Sequence, residues 1–350
     1  MPAAIFEDPT TEEQPFVDAV CASPSDDAPR LVFADWLDEQ GDPQGEWLRA
    51  SVAIERAIAE LGWGFAFRPW RSLLPRLLPN DAELQAAIAT CAGQETPTWN
   101  DLPQALRRSL TGHQYCGGFI ENVRNGVAGL SQFGDQIRRL IPLRGVDLMR
   151  GLPGREADRA RDFHGDAWPG VERLVVPCGW GGDSFAPLVN VARAREFAAA
   201  TDGIRAVATG PHVHPKALAA FLNAKPIESL YVELLPASGD LNLDGLFASW
   251  DPQDLRCLGL KHQTPIDASL IAQLADWPGL ANVRLLDFGE TRLGQRARQA
   301  LVRARHRRPD LCIAYHAVGR KPAPMDGVKW IVASDDFPML FDGTLFSSPS

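Results

Sequence analysis

Two histidines are the first residues whose type and spacing suggest chemistry. His212 and His214 lie two residues apart and could face one direction on an extended segment, as ligands of a zinc ion. A zinc site needs a third and a fourth ligand, and the sequence offers none at a familiar distance. We therefore predict a surface turn before a helix here, and no metal site.

Four acidic residues near the N-terminus could together bind a cation. Asp35, Asp38 and Glu39 fall on one surface of a helix because their spacings are three and four residues. Asp42 precedes Pro43, a pair that is typical of a helix start. A solvated helix face with a local cap is the favoured interpretation, and contact with a partner is the alternative.

Catalytic motifs are not found. The glycine-rich segments 151–154 and 179–182 lack the Lys-Ser/Thr pair of a phosphate loop, and there is no G-x-S-x-G. An enzyme of another type would need titratable groups that converge in a pocket, and the sequence indicates none. We predict no catalytic residue, no cofactor and no small-molecule substrate.

A basic stretch is the strongest local charge asymmetry. Arg292, Arg296, Arg303 and Arg307 would share one broad helix face, able to contact nucleic acid, an acidic protein or the rest of this chain. A solvated outer helix is the alternative, because the helix dipole favours cations near the C-terminal end. The formal charge of -9 argues against general affinity for nucleic acid.

Composition predicts a soluble, cytoplasmic protein. Six cysteines are scattered without a C-x-x-C pair, as expected of reduced thiols. The first residues lack the basic and apolar regions of a signal peptide, and no apolar run approaches the roughly 18 residues of a membrane span.

The elements that would position such side chains follow a repeating pattern. An apolar-x-x-apolar-x-apolar triplet recurs with its middle residue at positions 123, 146, 174, 207, 230, 258, 286 and 314. The commonest step is 28 residues, and a 33-residue step around 179–201 suggests an insertion. Such a period predicts one structural unit stacked repeatedly.

One repeat contains a strand, a turn and a helix. Leu258 and Leu260 alternate with Cys257 and Gly259, as in a strand with one buried face, and a helical pattern follows at 270–274. A unit this short cannot bury both apolar faces alone. We predict an α/β fold in which neighbouring units stack into a parallel sheet lined by outer helices.

The remaining segments complete a five-part organisation. Short helices are predicted over 12–60, with a cap at Asp26 or Asp27 and a stop at Gly41. The predicted parts are a lead-in at 1–11, a helical module at 12–60, a connector at 61–116, the array at 117–316 and a tail at 317–350.

Two resemblances arise from these residues. The stretch from Asp26 to Arg49 carries the pattern D-x-x-x-R-L-V-x-A-D-W-L-x-E-x-G-D-P-x-G-E and resembles the bacterial repeat-companion domain, which has no settled activity. The repeats are similar to a diverged leucine-rich repeat array, which implies a solenoid with strands on its concave side. The Asn or Cys usual in its turns is replaced at Gly179, Leu235, Gln263 and Thr291, so we expect less regular turns. A doubly wound sheet is the alternative.

The residues that alternate with the triplet would line the concave side. We predict a protein-binding surface there, because apolar residues occur at positions that the periodicity exposes. A flanking segment lying close to small residues is the alternative. The predicted contact residues are Asp147, Arg173, Val175, Tyr231, Glu233, Lys261, Leu285 and Asp287.

The sequence therefore predicts a non-catalytic scaffold that binds a protein partner. An accessory subunit of a nucleic-acid-associated complex, using the basic helix over 292–308, is the alternative. The tail contains a short strand at 329–333 and either caps the array or docks on another protein.

Overall fold

A computed structural model describes residues 12–62, 74–75, 78–93, parts of 97–116, 118–125, 127–148, 170–176, most of 188–234, 243–262, 268–288, 293–317 and 329–332. The predicted lead-in at 1–11, the four turn positions at 179, 235, 263 and 291, and most of the tail lie outside these residues.

Three helices form the N-terminal module predicted over 12–60, namely α1 (Gln14–Ala22), α2 (Asp27–Glu39) and α3 (Gln44–Glu60), and α4 (Ala82–Gly93) follows in the predicted connector. Of the two predicted cap residues, Asp26 and Asp27, the cap is Asp26, whose side chain accepts a hydrogen bond from the Ala28 amide at 2.9 Å. Asp42 accepts one from the Gln44 amide at 2.8 Å. Both caps satisfy amides that a helix start would otherwise leave unpaired.

Two glycines allow α2 and α3 to pack closely. Gly41 has a φ of 74°, a left-handed conformation that ends α2 as predicted. A Cβ at Gly45 would lie 2.6 Å from the Ala34 carbonyl oxygen, so only glycine permits this approach of the two helices. The glycines of the companion-like pattern thus have local structural roles.

A ten-stranded sheet follows, and its strand order is the sequence order. The first pair is antiparallel, and each later pair is parallel. This order differs from that of a doubly wound sheet, in which the direction of strand addition reverses. The strands are β1 (Gly112–Cys116), β2 (Phe119–Asn125), β3 (Gly145–Leu148), β4 (Arg173–Val176), β5 (Ala206–Thr209), β6 (Ser229–Leu234), β7 (Cys257–His262), β8 (Leu285–Asp287), β9 (Cys312–Ala317) and β10 (Lys329–Val332).

Helices follow most of the parallel strands. They are α5 (Val127–Leu140), α6 (Val191–Ala200), α7 (Pro215–Leu222), α8 (Leu243–Phe247), α9 (Ala268–Asp276) and α10 (Gln295–Arg307), and a 3-10 helix spans Pro278–Asn282. Residues such as Ile137, Phe221 and Leu301 share one buried cluster with the triplet residues. The predicted α/β class is confirmed, with the triplets facing these helices.

Strand register confirms the triplet at most positions and corrects the last. Val123 pairs with Val146, and the succeeding middle positions pair in turn as far as Leu258 with Leu286. Leu286 then pairs with Ile313, not with Ala314. The sequence prediction was wrong by one residue here, and because side chains alternate along a strand, the error placed Ala314 on the wrong face.

Strands extend both ends of the array. The sequence did not predict β1, which forms a hairpin with β2 inside the segment expected to be a helical connector. The strand predicted at 329–333 is confirmed over Lys329–Val332, and Lys329 pairs with Ala314.

Candidate functional site

The N-terminal module covers the sheet face opposite the array helices. Phe33, Leu37 and Leu48 of the module share a second buried cluster with strand residues. Trp99 bridges the two parts, because its ring lies 5.5 Å from that of Phe33 and 5.2 Å from that of Phe119 on β2. The strand residues of this cluster include Ala206, Ala208, Tyr231, Cys257, Leu285 and Ala314. We call this buried surface the module–sheet interface.

The module–sheet interface buries residues that the sequence predicted to be an exposed binding surface. The sequence correctly placed Tyr231 and Leu285 on the face that alternates with the triplet, but it predicted that they are exposed. Tyr231 is 3% exposed and Leu285 is 0% exposed. The prediction of exposure was wrong because the helices of the module cover this face. This arrangement resembles the alternative from the sequence, in which a flanking segment lies against the strands.

A row of charged residues crosses the sheet, with one member within β2 and six that immediately precede strands β3 to β8. Each lies two residues before the middle triplet position, and the backbones are joined by successive hydrogen bonds, such as Arg144 N to Glu121 O at 2.8 Å. Signs alternate over the first five members. The members are Glu121, Arg144, Glu172, Arg205, Glu228, Arg256 and Arg284, and we call them the charged row.

Neighbours in the charged row form ion pairs across adjacent strands. Arg144 Nη2 donates to Glu172 Oε2 at 3.0 Å, and Arg205 Nη1 donates to Glu228 Oε1 at 2.8 Å. The first pair is largely buried, whereas Arg205 is exposed. Since burial reduces solvent screening, the electrostatic attraction within the first pair is the stronger of the two.

The module's most buried contact with the sheet is an ion pair. Arg30 of α2 donates from Nη2 to Glu121 Oε1 at 2.7 Å, and the two side chains are 1% and 0% exposed. Arg30 also donates to the carbonyl oxygens of Pro24 and Asp26, at 2.9 and 3.2 Å. Its guanidinium lies 5.8 Å from the Phe119 ring centroid. Arg30 thus joins α2 to the first parallel strand.

Helix α3 contacts the charged row at two further places. Arg144 Nη1 donates to Glu55 Oε2 at 3.2 Å. Arg284 Nη1 donates to the Glu60 carbonyl oxygen at 3.3 Å, where α3 ends and its dipole favours a cation. The charged row therefore positions α3 along the sheet.

Burial and neighbouring charges shift the pKa values of the row. Burial, with a smaller contribution from Glu55, raises the pKa of Glu121, although Arg30 and other arginines oppose the shift. Burial also opposes ionisation of Glu172, but Arg144 and a hydrogen bond from Ser25 outweigh it, so the pKa of Glu172 is lowered. The pKa values of two carboxylates in one row are thus shifted in opposite directions.

Replacing Glu172 with glutamine should reduce the acid sensitivity of folding. A carboxylate whose native pKa is lowered stabilises the fold above its unfolded pKa, and this contribution is lost as pH falls through the native value. The difference in unfolding free energy between wild type and Glu172→Gln should therefore be constant above about pH 5.5 and shrink towards pH 3. Urea unfolding at a series of pH values measures it.

The control repeats the comparison of Glu172 with Glu172→Gln in a protein that carries Arg144→Met. Because Arg144 is the leading cause that lowers this pKa, the pH-dependent part of the difference should largely disappear there. A difference that stays unchanged down to pH 3 in the wild-type background would contradict the assignment.

Other predicted contact residues take several positions. Arg173 Nη1 lies 3.9 Å from Glu121 Oε2, and Val175 is half-buried at the module–sheet interface. Asp147 is buried and pairs with Arg124 at 2.7 Å. Asp287 is buried on β8. None of these four offers a freely accessible side chain.

Glu233 and Lys261 pair in register on β6 and β7, but their side chains lie outside the described part of the structure. Their contact with a partner stays a prediction.

The acidic group of α2 has largely local partners. Arg49 donates to Asp35 at 2.6 Å and also pairs with Asp38, while Asp42 caps α3. Glu39 is exposed. The predicted exposure and local cap are confirmed for these residues, and contact with a partner stays a prediction. His214 is exposed and directly precedes α7, as predicted, and His212 lies outside the described residues.

The basic stretch forms the outer helix α10. Arg296, Arg303 and Arg307 are exposed, and Arg292 lies outside the described residues. Arg307 lies 3.6 Å from Asp276, with both side chains exposed. Arg308, in contrast, donates to the Leu280 and Val283 carbonyl oxygens at 2.5 and 3.0 Å and fixes the helix end. The exposed arginines form a cationic surface, whereas Arg308 is structural.

Three thiols that are buried or half-buried are poorly suited to nucleophilic chemistry. Burial raises the pKa of Cys21 to about 12, and burial also raises the pKa values of Cys116 and Cys257. A raised pKa depletes the reactive thiolate. Within the described ranges, no group of three or more His, Cys, Asp or Glu side chains could hold a metal ion.

Sequence reasoning missed the charged row and the pair between Arg30 and Glu121. The signal was present, because the residue two positions before the middle triplet residue is charged at seven of the eight triplets, from Glu121 to Arg284. The pairing itself could not be read from sequence, since Arg30 and Glu121 are 91 residues apart.

No family model matches the sequence, and no curated protein matches it. Among the helices that the structure describes, none is long and apolar enough to cross a membrane.

Proposed function

We propose that this protein is a non-catalytic, cytoplasmic scaffold that binds a protein partner, built on a leucine-rich-repeat-like solenoid preceded by a repeat-companion module. The observation that carries the proposal is the module–sheet interface, where the strand face binds a helical protein unit through an apolar centre and ion pairs. Such a combination is typical of protein recognition. In this chain the bound unit is its own module.

A partner must then use another surface, and α10 is the best candidate. Its exposed arginines, Arg296, Arg303 and Arg307, present guanidinium groups to solvent. These groups form bidentate hydrogen bonds with carboxylates, so an acidic protein surface fits them. The register pair Glu233 and Lys261 is a second proposed contact on the strand side.

Nucleic acid is the alternative partner of α10, favoured by the same exposed arginines. Phosphate contacts by arginine give affinity that falls steeply with salt. The whole chain is acidic, with a formal charge of -9, so nucleic acid would be bound as part of a complex that neutralises this charge.

Affinity capture from the native host tests both candidate partners of α10, an acidic protein and nucleic acid. The full-length protein and the variant Arg296→Glu/Arg303→Glu/Arg307→Glu are used as baits, and captured proteins are identified by mass spectrometry with and without nuclease. We expect loss of an acidic protein partner from the variant, unchanged by nuclease, because three cations become anions. Loss of every partner after nuclease would favour the alternative.

A matched control reverses three exposed cations on other outer helices: Arg139 on α5, Arg195 on α6 and Lys216 on α7. This variant changes the net charge equally and should retain the partner. If both variants lose the partner equally, long-range charge and not α10 explains the binding, and the proposed surface is wrong.

A further inference from the structure

Charge is distributed unevenly along this chain. Residues 12–62 contain twelve carboxylates against three arginines and no lysine, a formal charge of -9 that equals the charge of the whole protein. Residues 293–308 contain six arginines and no acidic residue. The molecule is therefore strongly acidic in its N-terminal module and strongly basic at α10.

The acidic module also exposes an apolar site. Among the described residues, Val32 is the one large hydrophobic side chain that is exposed, at 54%. One helical turn further along α2, Trp36 is half-buried with its ring 5.1 Å from that of Phe16, and Asp35 and Glu39 border the two residues. We call Val32, Asp35, Trp36 and Glu39 the α2 patch. An apolar centre with charged borders is the usual composition of a docking surface.

The α2 patch and the basic face of α10 match in spacing. Asp35 and Glu39 are four residues apart, as are Arg303 and Arg307. Four residues correspond to about 6 Å along a helix, so two helices lying side by side can form both ion pairs at once. Arg49 pairs with one oxygen of the Asp35 carboxylate, but the Asp35 side chain is still 67% exposed.

These surfaces cannot meet within one molecule. Helix α2 packs through Phe33 and Leu37 on one face of the sheet, whereas α10 packs through Ala297 and Leu301 on the other. They also lie at different positions along the strand order, since α2 contacts β2 through Arg30 and α10 connects β8 with β9. Only two separate molecules can bring these surfaces together.

We propose that the α2 patch of one molecule binds the basic face of α10 on a second copy of this chain. The contact is heterologous, because each copy uses a different surface, so each bound molecule retains one free surface for another copy. The partner therefore has the chemistry of an acidic helical surface, as the proposed function requires. This inference rests on that proposed function and specifies the partner.

Sedimentation velocity of the full-length protein tests the inference. At about 50 mM salt, the weight-average sedimentation coefficient should rise with protein concentration, and at about 0.5 M salt the apparent dissociation constant should increase roughly tenfold or more. Exposed ion pairs are screened at high salt, whereas a purely apolar contact would persist. A protein that stays monomeric up to about 200 µM at low salt would overturn the inference.

Two variants disable one surface each. Val32→Lys/Glu39→Lys alters the α2 patch and leaves the Asp35–Arg49 pair intact, and Arg303→Glu/Arg307→Glu alters α10. Each variant alone should be monomeric, while an equimolar mixture should form a 1:1 dimer that grows no further, because it has one intact surface of each kind. The control Arg139→Glu/Arg195→Glu should assemble like wild type. Circular dichroism melts verify that all variants fold.

The outcomes separate this inference from the proposed function. If both surface variants assemble like wild type, or their mixture stays monomeric, docking between copies is overturned. If α10 captures a different acidic protein while the chain stays monomeric, the inference fails and the proposed function stands. If nucleic acid binds wild type but not Arg303→Glu/Arg307→Glu, and no self-association occurs, both the inference and protein recognition by α10 are wrong.

Discussion

Leu285→Ala should lower the free energy of unfolding by about 2–5 kcal/mol, the usual range for truncating a fully buried leucine. Leu285 is 0% exposed and contributes to the cluster shared by the sheet and the N-terminal module. Its truncation removes apolar contacts and leaves a cavity where the two parts pack. Urea unfolding followed by circular dichroism measures the change as a lower transition midpoint.

Val32→Ala is the matched control for this experiment. Val32 is exposed on α2, and alanine has the higher helix propensity, so the change should alter stability by less than about 0.5 kcal/mol. If Leu285→Ala also stayed within that range, the module would not cover this face in solution. The strand face would then be open to an external partner.

Burial of this face also determines which residues can bind an external partner. Substitutions at Tyr231 and Leu285 would test an exposed binding face, but both residues are buried. Loss of a partner from such variants would report loss of folding. Exposed residues on α10 avoid that ambiguity, because truncation of an exposed side chain rarely costs stability.

Arg30→Met should destabilise the protein by about 3–5 kcal/mol, because it leaves the Glu121 carboxylate buried without its nearest cation. The pair is 2.7 Å apart with both side chains almost fully buried. Arg144 and Arg173 approach the other carboxylate oxygen only to 3.7 and 3.9 Å, so they compensate in part. Thermal and urea unfolding measure the loss.

Arg56→Met is a closely matched control. Arg56 pairs with Asp27 at the same 2.7 Å within the same module, but its side chain is 57% exposed. An exposed pair contributes only about 0–1 kcal/mol, so the two substitutions separate the effect of burial from that of distance.

A double-mutant cycle identifies the partner of Arg30. If Arg30 acts through Glu121, then Arg30→Met/Glu121→Leu should be more stable than the sum of the two single losses predicts. Strict additivity would mean that Arg30 acts mainly through its bonds to the Pro24 and Asp26 carbonyl oxygens. Equal losses for Arg30→Met and Arg56→Met would contradict the buried-pair interpretation altogether.

The companion-like pattern shows how far local reasoning extends. A cap at Asp26 or Asp27, the Gly41 stop and a helix start signal at Asp42 were all predicted, because each depends on backbone groups within a few residues. The role of Arg30 was not predicted, since its partner is distant in sequence. The sequence therefore located the pattern, and the tertiary structure showed why Arg30 within it is buried, because Arg30 pairs with Glu121.

The array shows a similar division, with one instructive error. Periodicity identified the strands and the triplet face because a two-residue alternation is a local property. It failed at the last triplet, where Ala314 was chosen in place of Ile313 and a one-residue shift reversed the face. The antiparallel strand β1 was missed as well, because its pairing depends on β2.

Sequence alone determined the α/β class, the helices of the module and the face on which most of the predicted strand residues lie, since these follow from short-range periodicity and capping. Tertiary structure decided that the face carrying Tyr231 and Leu285 is buried, that Arg30 pairs with Glu121 and that the basic face of α10 stays exposed. The physical reason is that exposure depends on which distant segment covers a surface, and the free energy of that packing is shared among residues far apart in the chain.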